Sequence, residues 1–424
     1  MIGLLIFIFI ICLLLRFPIA FALGFSCLVY LIFNDVPLII IPAKMYSGID
    51  VFVLLSIPGF ILAGNLMNKG GLTEKIITFC NHWVGHIRGG LALANIGTSM
   101  LFAGITGTAI SDTASIGSIM IPAMKKESYD GDFSCAVTAS SSTVGPIIPP
   151  SVPMIIAATL SGLSVGKLFL AGAIPGLMLG IGLMAVAWYI SRKRNYPKHP
   201  RSSVRQMALS FIDTFWSLLM TIIILFGIVG GIFTPTEASI VAVIYALIIG
   251  FFVYQKLNFR NMIEVVMDSM KTSASLMVLI GFANLFGLML ITERFPQLVS
   301  ENILSFSQNK YVVLLLINLL LIFIGTFMET IAALLVLFPI LLKVAVNVGV
   351  DPGHFAVIAV LNLIIGLTTP PVGVCLFVAS SIGKEPIGKV SRASMPFLAV
   401  SFIVLALVTL FPELSLILPA WLMP

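Results

Sequence analysis

Two proline-rich segments interrupt apolar stretches of this chain, and they constrain its fold more than any other feature. The first, STVGPIIPPSVP, occupies residues 142–153, and the second, GLTTPPVG, occupies residues 366–373. Proline has no backbone N–H, so it cannot donate the helical hydrogen bond to the carbonyl group four residues earlier. A helix through the first segment would leave four such carbonyls without donors: Ser142, Gly145, Pro146 and Pro149. Both segments therefore predict a break in a helix.

Composition places these breaks inside a membrane. The chain is 59% hydrophobic and only 9% charged, with a mean hydropathy of +1.14, whereas a soluble domain carries about 25% charged residues. The charged residues cluster at the ends of apolar segments, as expected when each segment crosses about 30 Å of hydrocarbon. We therefore predict an all-α polytopic membrane protein, whose lipid-facing backbone must be fully hydrogen-bonded. The net charge of +6 gives no indication of a nucleic-acid partner.

One basic loop sets the predicted orientation. Residues 192–205 contain six basic residues and no acidic one, which is typical of a cytoplasmic loop. Starting from that loop, we predict four membrane-crossing segments: 167–190, 212–232, 235–254 and 272–291. The amphipathic segment 256–271 is too polar to cross and is predicted to lie along the inner interface. Under this topology the N-terminus and a second interfacial segment, 37–50, lie outside.

Two further apolar stretches, 90–124 and 311–346, must each begin and end on one side of the membrane. Each is interrupted in its middle, by GITGTAISDTASIG at 104–117 and by GTFMET at 325–330. We therefore predict two re-entrant helical hairpins whose tips stop within the membrane. The first hairpin enters from inside and the second from outside.

The two halves of the chain match each other in order. Asp112 and Glu329 each precede a proline by ten residues and lie 217 residues apart, while Gly145 and Gly366 each precede a Pro-Pro pair and lie 221 residues apart. Because the matched segments have opposite predicted orientations, the pattern is typical of the inverted repeats of secondary transporters. We expect an inverted repeat with two re-entrant hairpins and two broken helices.

This organisation divides the chain into five parts. Residues 91–191 and 311–424 are predicted to form two transport-domain repeats, each with a hairpin and a broken helix. Residues 1–90 and 211–310 are predicted to form scaffold helices with their interfacial arms, and residues 192–210 the cytoplasmic basic loop. A transport domain that moves against a scaffold corresponds to an elevator-type transporter.

The carbonyl groups of Gly145 and Gly366 are the predicted ion ligands. Pro149 and Pro370 cannot supply the N–H groups that these carbonyls would accept in a helix. Hard carbonyl oxygens suit a small monovalent cation, since a multivalent metal would require several carboxylates. The half-helices that restart after the breaks present positive dipole ends, which favours an anionic substrate. The alternative is that the Pro-Pro breaks are kinks that allow the helices to pack.

Polar side chains near the hairpin tips are the other candidate ligands. A carboxylate at membrane depth costs at least ~2.5 kcal/mol, so Asp112 and Glu329 are expected either to coordinate an ion or to cap the second leg of their hairpins. Nearby hydroxyl groups are candidates for ligand contact or for bonds back to their own helices: Thr106, Thr108, Ser111, Ser142 and Thr369. The N-terminal half is richer in hydroxyls, so we expect the substrate, contacted by four of these together with Asp112, to lie nearer the first hairpin.

No nucleotide or metal motif is found in the sequence. GLSVGKL at 162–168 is two residues short of the Walker A spacing and lacks its Ser or Thr, so no ATP site is predicted and a gradient must supply the energy. The five cysteines show no metal-ligand spacing. Two other classes remain open. A membrane-embedded enzyme would need clustered acids, histidines or arginines in one loop, and a passive channel would carry large ohmic currents.

Four motifs carry a family resemblance that covers essentially the whole chain: GHIRGGLALANI, GITGTAISDTASIGSIMIPAM, GPIIPPSVPMII and GLTTPPVGVCLFVAS. They resemble the large membrane subunit of tripartite ATP-independent periplasmic (TRAP) transporters, and the fold is similar to that of the divalent anion–sodium symporters. The resemblance implies a sodium-driven importer of sialic acid or C4-dicarboxylates in the bacterial inner membrane. The implied partners are a soluble periplasmic substrate-binding protein and a small membrane subunit, which we expect as a separate chain.

The resemblance also implies two sodium sites, each where a hairpin tip meets the broken helix beside it. On this sequence the first site falls on Gly145, Ile148 and Pro149. The second falls on four residues near the other break: Gly325, Gly366, Thr369 and Val372.

Overall fold

The protein is helical throughout the part of the chain that the structure describes. The computed structural model describes residues 2–15, 17–106, 108–307 and 309–423, and the side chains of these residues apart from 103–106, 300 and 302–306. Within these ranges there is no strand, and seven helices are long and apolar enough to cross a membrane. The predicted all-α polytopic membrane fold is confirmed.

The first half of the chain consists of short helices that lead to one long helix. Its elements are α1 (Ile2–Leu14), α2 (Ile19–Phe33), α3 (Ile40–Ile49), α4 (Ser56–Lys69), α5 (Leu72–Val84), α6 (Gly90–Thr106), α7 (Ala109–Lys126), α8 (Gly131–Ser141), α9 (Val152–Ser161) and α10 (Val165–Lys193). A 3₁₀ turn, Phe52–Leu55, leads directly into α4. Helices α6 and α7 pack against each other as the predicted hairpin, and the first proline-rich segment separates α8 from α9.

The second half follows a similar order. Its elements are α11 (Val204–Val229), α12 (Pro235–Ile248), α13 (Phe259–Thr292), α14 (Phe295–Phe306), α15 (Lys310–Gly325), α16 (Thr330–Asn347), α17 (Pro352–Gly366), α18 (Val374–Gly383), α19 (Ile387–Leu410) and α20 (Glu413–Leu422). Helix α12 continues into a π-helical turn, Ile249–Val253. Helices α15 and α16 form the second predicted hairpin, and the second proline-rich segment separates α17 from α18.

Prolines at helix starts explain several of these boundaries. Pro235 and Pro352 occupy the first positions of α12 and α17, where the missing N–H has no helical partner to lose and the fixed φ favours a helix. Thr234 accepts a hydrogen bond from the Glu237 N–H, and the Glu237 carboxylate in turn accepts from the Thr234 N–H at 2.8 Å. This reciprocal arrangement stabilises the first turn of α12.

Two sequence predictions about boundaries are wrong. Residues 256–271 were expected to form an interfacial segment separate from the crossing helix, but Phe259–Thr292 is one continuous helix of 34 residues. Polar residues lower hydropathy without interrupting a helix, and at 1.5 Å per residue this one is about 51 Å long, well beyond the hydrocarbon thickness. The loop predicted over 192–210 is shorter, because α10 ends at Lys193 and α11 begins at Val204. A capping box between Ser203 and Gln206 starts α11 there.

The halves pack against each other in reciprocal pairs. Helix α7 of the first half contacts α18 of the second, and α16 of the second contacts α9 of the first. Two more pairs of contacts are related when each helix is replaced by its counterpart in the other half. The α8–α19 contact corresponds to the α17–α10 contact, and the α2–α13 contact corresponds to the α12–α4 contact. Each hairpin therefore packs against the helix that restarts after the break in the opposite half.

Ion pairs join loops that the charge-based topology places on the cytoplasmic side. Lys125 Nζ lies 2.9 Å from Glu385 Oε1, which links the end of α7 to the α18–α19 connection. Arg194 Nη1 lies 2.7 Å from Asp130 Oδ2, which links the end of α10 to the start of α8. The hydroxyl of Tyr196 donates a hydrogen bond to Asp130, and this bond, with the neighbouring Arg194, holds the pKa of the Asp130 carboxyl below its usual range.

Candidate functional site

The side chain of Ser151 stabilises the turn at the first break. Helix α8 ends at Ser141 and α9 begins at Val152. Ser151 accepts a hydrogen bond from the Met154 N–H at 3.2 Å and caps α9. Its hydroxyl also donates to the carbonyl of Pro146, the group that loses its helical donor to Pro150. Sequence analysis missed this role, although a serine one residue before a Val-Pro helix start is a recognisable N-cap signal.

The carbonyl of Gly145 is available for a ligand. In the described ranges no hydrogen bond reaches it, in agreement with the expectation from Pro149. The residue is buried, and the backbone of Ile147 and the side chain of Ile148 lie against α10 at Gly172 and Gly176. A Cβ on Gly172 would lie 2.7 Å from the Ile147 carbonyl oxygen, so the small residues of α10 allow the broken backbone to lie directly against that helix.

The second break differs from the expectation. The Thr369 N–H donates to the Gly366 carbonyl at 3.0 Å, so this carbonyl is not without a donor as the sequence predicted. In an α-helix the donor to the Gly366 carbonyl would be the residue four positions later, which is Pro370. The chain instead makes a tighter turn, in which the donor is Thr369, three positions later. A carbonyl oxygen has two lone pairs, so Gly366 still has one to offer a ligand. The Leu367 carbonyl is also satisfied, by the Cys375 N–H at 3.0 Å.

The tip of the second hairpin touches the second break. A Cβ on Gly366 would lie 2.5–2.7 Å from three backbone atoms of Gly325, so the two backbones are in direct contact. The Gly373 N–H, in a left-handed residue with φ of +59°, lies 3.4 Å from the Thr326 carbonyl. The structure therefore brings Gly325 and Gly366 together, as the family resemblance implied. Thr369 and Val372 lie in the same turn and are half-buried.

The first hairpin touches the first break through a carboxylate. Asp112 is fully buried, and a Cβ on Gly145 would overlap its Oδ2. Asp112 is the fourth residue of α7, and the N-cap position belongs to Thr108, whose backbone is extended. Of the two roles expected for Asp112, the N-cap role is therefore wrong, because α7 begins four residues earlier than an N-cap at Asp112 requires. Its carboxylate instead lies beside the break.

Glu329 does cap its helix. It is the N-cap residue of α16, and its carboxylate accepts hydrogen bonds from the N–H groups of Ile331 at 3.0 Å and Ala332 at 3.3 Å. The two carboxylates matched in the sequence thus have different local roles. Helix α7 packs against α18, and the Gly373 N–H just before α18 contacts the Thr326 carbonyl of the second hairpin, so both hairpins contact this half-helix or the turn before it.

The candidate hydroxyl groups fall into two classes. Ser142 is fully buried and donates to the Thr138 carbonyl at 2.8 Å, and Thr369 donates to the Ile365 carbonyl at 2.9 Å. These two hydroxyls can offer a ligand lone pairs but have already used their protons. Thr108 and Ser111, at the start of α7, are half-buried. The side chain of Thr106 lies outside the described residues.

Sequence analysis missed two buried polar networks that fix the hairpins. Asn95 of α6 donates to the Thr138 hydroxyl of α8 at 2.7 Å, and Asn362 of α17 donates to Asn318 of α15 at 2.7 Å. In both halves, the entering leg of the hairpin is thus bonded to the helix that precedes the break. Burying an asparagine side chain in an apolar helix costs free energy unless it is hydrogen-bonded. The asparagines within these apolar segments could therefore have indicated polar contacts between helices.

The polar groups at the site are mainly oxygen atoms. The described side chains include no cluster of three or more His, Cys, Asp or Glu residues that could hold a metal. Each break instead places a turn of backbone carbonyl groups and nearby hydroxyl groups beside its hairpin, and each hairpin contributes one carboxylate, Asp112 or Glu329.

Comparison with known proteins supports a transport role. The sequence profile described as "Tripartite ATP-independent periplasmic transporter, DctM component" matches residues 6–414. The sialic acid TRAP transporter large permease protein SiaM of Vibrio cholerae is 44% identical over 403 residues, which cover 95% of this chain and 94% of that protein. The C4-dicarboxylate TRAP transporter large permease protein DctM of Pseudomonas aeruginosa is 39% identical, with 95% and 94% covered.

A longer relative and two solved structures complete the comparison. The isethionate TRAP transporter permease protein DctMQ of Oleidesulfovibrio alaskensis is 39% identical, and the match covers 94% of this chain and 63% of that protein. The Alcanivorax borkumensis YdaH transporter is similar in structure, with a TM-score of 0.60, 16% identity and coverage of 89% and 88%. Neisseria gonorrhoeae MtrF gives a TM-score of 0.60 at 13% identity, with 88% and 84% covered. At these identities the structural likeness concerns the fold alone.

Proposed function

The chain belongs to the DctM-component family of tripartite ATP-independent periplasmic transporters, and from that premise we propose that it imports a small carboxylate by sodium symport. It is a transporter permease and not an enzyme, and it is a multi-pass protein of the bacterial inner membrane. One observation carries the proposal. Each hairpin tip touches a proline-broken helix, through Gly325 and Gly366 in one half and through Asp112 and Gly145 in the other.

Sodium is the ion that best suits these contacts. Backbone broken at membrane depth requires compensation for its polar groups, and a bound cation supplies it. We assign the first site to Gly145, Ile148 and Pro149. We assign the second to five residues: Gly325, Glu329, Gly366, Thr369 and Val372. The carbonyl of Gly366 contributes its second lone pair, since the first accepts from Thr369.

The substrate is proposed to lie against the first hairpin. Thr108 is the N-cap residue of α7, Ser111 lies in its first turn, and both are half-buried, so their hydroxyls and the positive end of the helix dipole can face a carboxylate. Asp112, Ser142 and Thr106 complete the proposed group. Relatives named for sialic acid and for C4-dicarboxylates indicate a carboxylate of one of these two kinds.

The proposed partners follow from the three-part organisation of the family. A soluble periplasmic protein would deliver the substrate, and a small membrane subunit would accompany this chain. We propose that the small subunit is a separate chain, as in relatives of similar length such as SiaM. In the longer DctMQ relative the two are fused.

An inverted repeat and an elevator motion are proposed for the mechanism. The reciprocal packing of α7 with α18 and α16 with α9 is what a pseudo-two-fold axis in the membrane plane would produce. A cavity of about 430 Å³ lies between α3, α13, α9 and α16 and is lined by Lys44, Asn284, Thr159 and Pro339 among others, while α13 and α16 also contact each other. Such a gap allows one group of helices to move against the other.

Uptake by the reconstituted complex tests this function. The chain would be placed in liposomes with its small subunit, and radiolabelled sialic acid or succinate would be supplied with each candidate binding protein. We expect uptake of one substrate with its matching binding protein and an inward sodium gradient. Undiminished uptake after sodium is fully replaced by potassium would reject the coupling, and large ohmic currents would indicate a channel.

A further inference from the structure

A groove lies between helices α10 and α19, near the end of α10 that the charge-based topology places on the cytoplasmic side. The two helices are in contact near Gly182, where a Cβ would lie 2.5 Å from Val400 Cγ1. Beyond that contact a cavity of about 780 Å³ opens, with Ala185 and Val186 of α10 in its apolar lining. Pro396 lies inside α19 and also lines the cavity. An internal proline removes one of the hydrogen bonds of its helix and favours a bend there, so Pro396 marks the part of α19 that borders the groove.

Three cations surround the cytoplasmic mouth of this groove. Lys193 and Arg392 line the groove itself, and Lys389 lines a smaller adjoining cavity that Arg392 also borders. All three residues are exposed. Within the described part of the chain, none of the three forms an ion pair.

Nearby acids do not neutralise these cations. Asp130 and Asp132 both pair with Arg194, at 2.7 Å and 3.5 Å respectively. Asp132 also lines the smaller cavity together with Lys389 and Arg392, but among the described side chains it forms no ion pair with either. The Arg194 guanidinium also lies 5.7 Å from the ring centre of Phe133, which forms part of the groove wall. Four cations line the two cavities, Lys193, Arg194, Lys389 and Arg392, against these two carboxylates, so the mouth keeps an excess of positive charge.

Aromatic residues place the mouth at headgroup depth. Trp188 and Tyr189 are 41% and 63% exposed, and the Arg192 guanidinium lies 5.7 Å from the Trp188 ring centre. Tryptophan and tyrosine mark the membrane–water interface. From Gly182 to Lys193, α10 rises about 17 Å at 1.5 Å per residue, close to the roughly 15 Å of one leaflet of a 30 Å hydrocarbon core.

We propose that this groove binds one anionic phospholipid of the inner leaflet. An acyl chain lies between α10 and α19, and the phosphate lies against Lys193, Lys389 and Arg392. A free phosphate would leave the apolar lining unfilled, and a neutral lipid would leave the three cations unpaired. Basic pockets between membrane helices on the cytoplasmic side suit anionic headgroups. The site lies away from the hairpin tips, so it does not depend on sodium coupling.

Lipid retention by the purified full-length protein tests the proposal. The protein would be equilibrated with equal amounts of phosphatidylglycerol and phosphatidylcholine of identical acyl chains, and retained lipid would be quantified by mass spectrometry. We expect phosphatidylglycerol to be enriched, and K389Q/R392Q to lower its affinity about fivefold for each cation removed, from ~1 kcal/mol per basic residue. The control K198Q/R201Q removes two exposed charges of the same cytoplasmic face outside the groove and should leave the enrichment unchanged.

A second variant separates the apolar part of the site from its charges. A185F fills the groove from an exposed position of α10 and should reduce the retention of phosphatidylglycerol while the cations remain. Inorganic phosphate at millimolar concentration should fail to displace the lipid. Equal retention of the two lipids, enrichment that survives K389Q/R392Q, displacement by phosphate alone, or a partner-protein helix in the groove of the assembled complex would each overturn the proposal.

Discussion

Replacing Gly366 by alanine tests the contact on which the second ion site rests. Gly366 ends α17 and its φ lies in the ordinary negative range, so alanine fits the backbone without conformational strain. A Cβ at this position would lie 2.5 Å from the carbonyl carbon, 2.6 Å from the Cα and 2.7 Å from the carbonyl oxygen of Gly325. All three are backbone atoms, so no side chain can rotate away.

The size of the effect follows from these distances. Carbon atoms in ordinary contact lie about 3.5–4.0 Å apart, so the second hairpin tip must separate from the break by about 1 Å. Overpacking of this kind costs about 1–3 kcal/mol. If the separation opens the ion site, the sodium concentration for half-maximal uptake should rise about 5-fold to 150-fold.

The measurement is substrate uptake by proteoliposomes as a function of sodium concentration. Gly388→Ala in α19 is a matched control, because a Cβ there meets nothing within 4 Å. It should leave the sodium dependence unchanged. If Gly366→Ala protein that is folded and inserted shows the wild-type sodium dependence, the assignment of this contact to an ion site is refuted.

Three further predictions concern single side chains. Asp112→Ala and Thr369→Ala should strongly reduce uptake in proteoliposomes while size-exclusion profiles remain those of folded protein; wild-type rates would remove these residues from the site. Glu329→Ala deletes the two capping bonds of α16 and should lower the free energy of unfolding by about 1 kcal/mol. An unchanged melting temperature would contradict this. Because Tyr196 lowers the pKa of Asp130, the stability from this pair is present above pH ~4 and is lost as pH falls through the lowered pKa. Tyr196→Phe should therefore be less stable than wild type in thermal unfolding at pH 7, and the difference in stability should shrink as the pH falls below ~4.

The positions of the two breaks could be predicted from the sequence because proline disrupts a helix at its own position. The missing N–H of Pro149 or Pro370 excludes a helix whatever surrounds it, and both breaks are found where the prolines lie. The hairpins were predicted for a similar reason, since a polar interruption inside a long apolar stretch has few alternatives. The carbonyl of Gly366 was misjudged because a break allows several turn geometries, and the donor three residues ahead was not considered.

Contacts between distant parts of the chain could not be predicted in this way. The direct contact of Gly325 with Gly366 and the position of Asp112 beside Gly145 depend on how the hairpins dock. Spacing along the chain contains no such information. The family resemblance placed Gly325 with Gly366, but it did not pair Asp112 with Gly145. The sequence also matched Asp112 with Glu329 but missed that only Glu329 is an N-cap residue, because that role depends on where each helix begins.

The groove between α10 and α19 shows the same limit. Its cations come from two segments nearly 200 residues apart, with Lys193 in one and Lys389 in the other. From the sequence, Lys193 belongs to a basic loop that sets orientation. Only the packing of the two helices shows that it shares a cavity with Arg392.

Simultaneous measurement of sodium and carboxylate entry tests the central claim most directly. Proteoliposomes that contain the complete complex would receive radioactive sodium and a carboxylate carrying a different label, and the entry of both would be followed over the same seconds. The paired hairpin tips and broken helices predict that sodium enters in a fixed ratio to the carboxylate and that neither enters without the other. Carboxylate entry at full rate with no accompanying sodium would contradict the account.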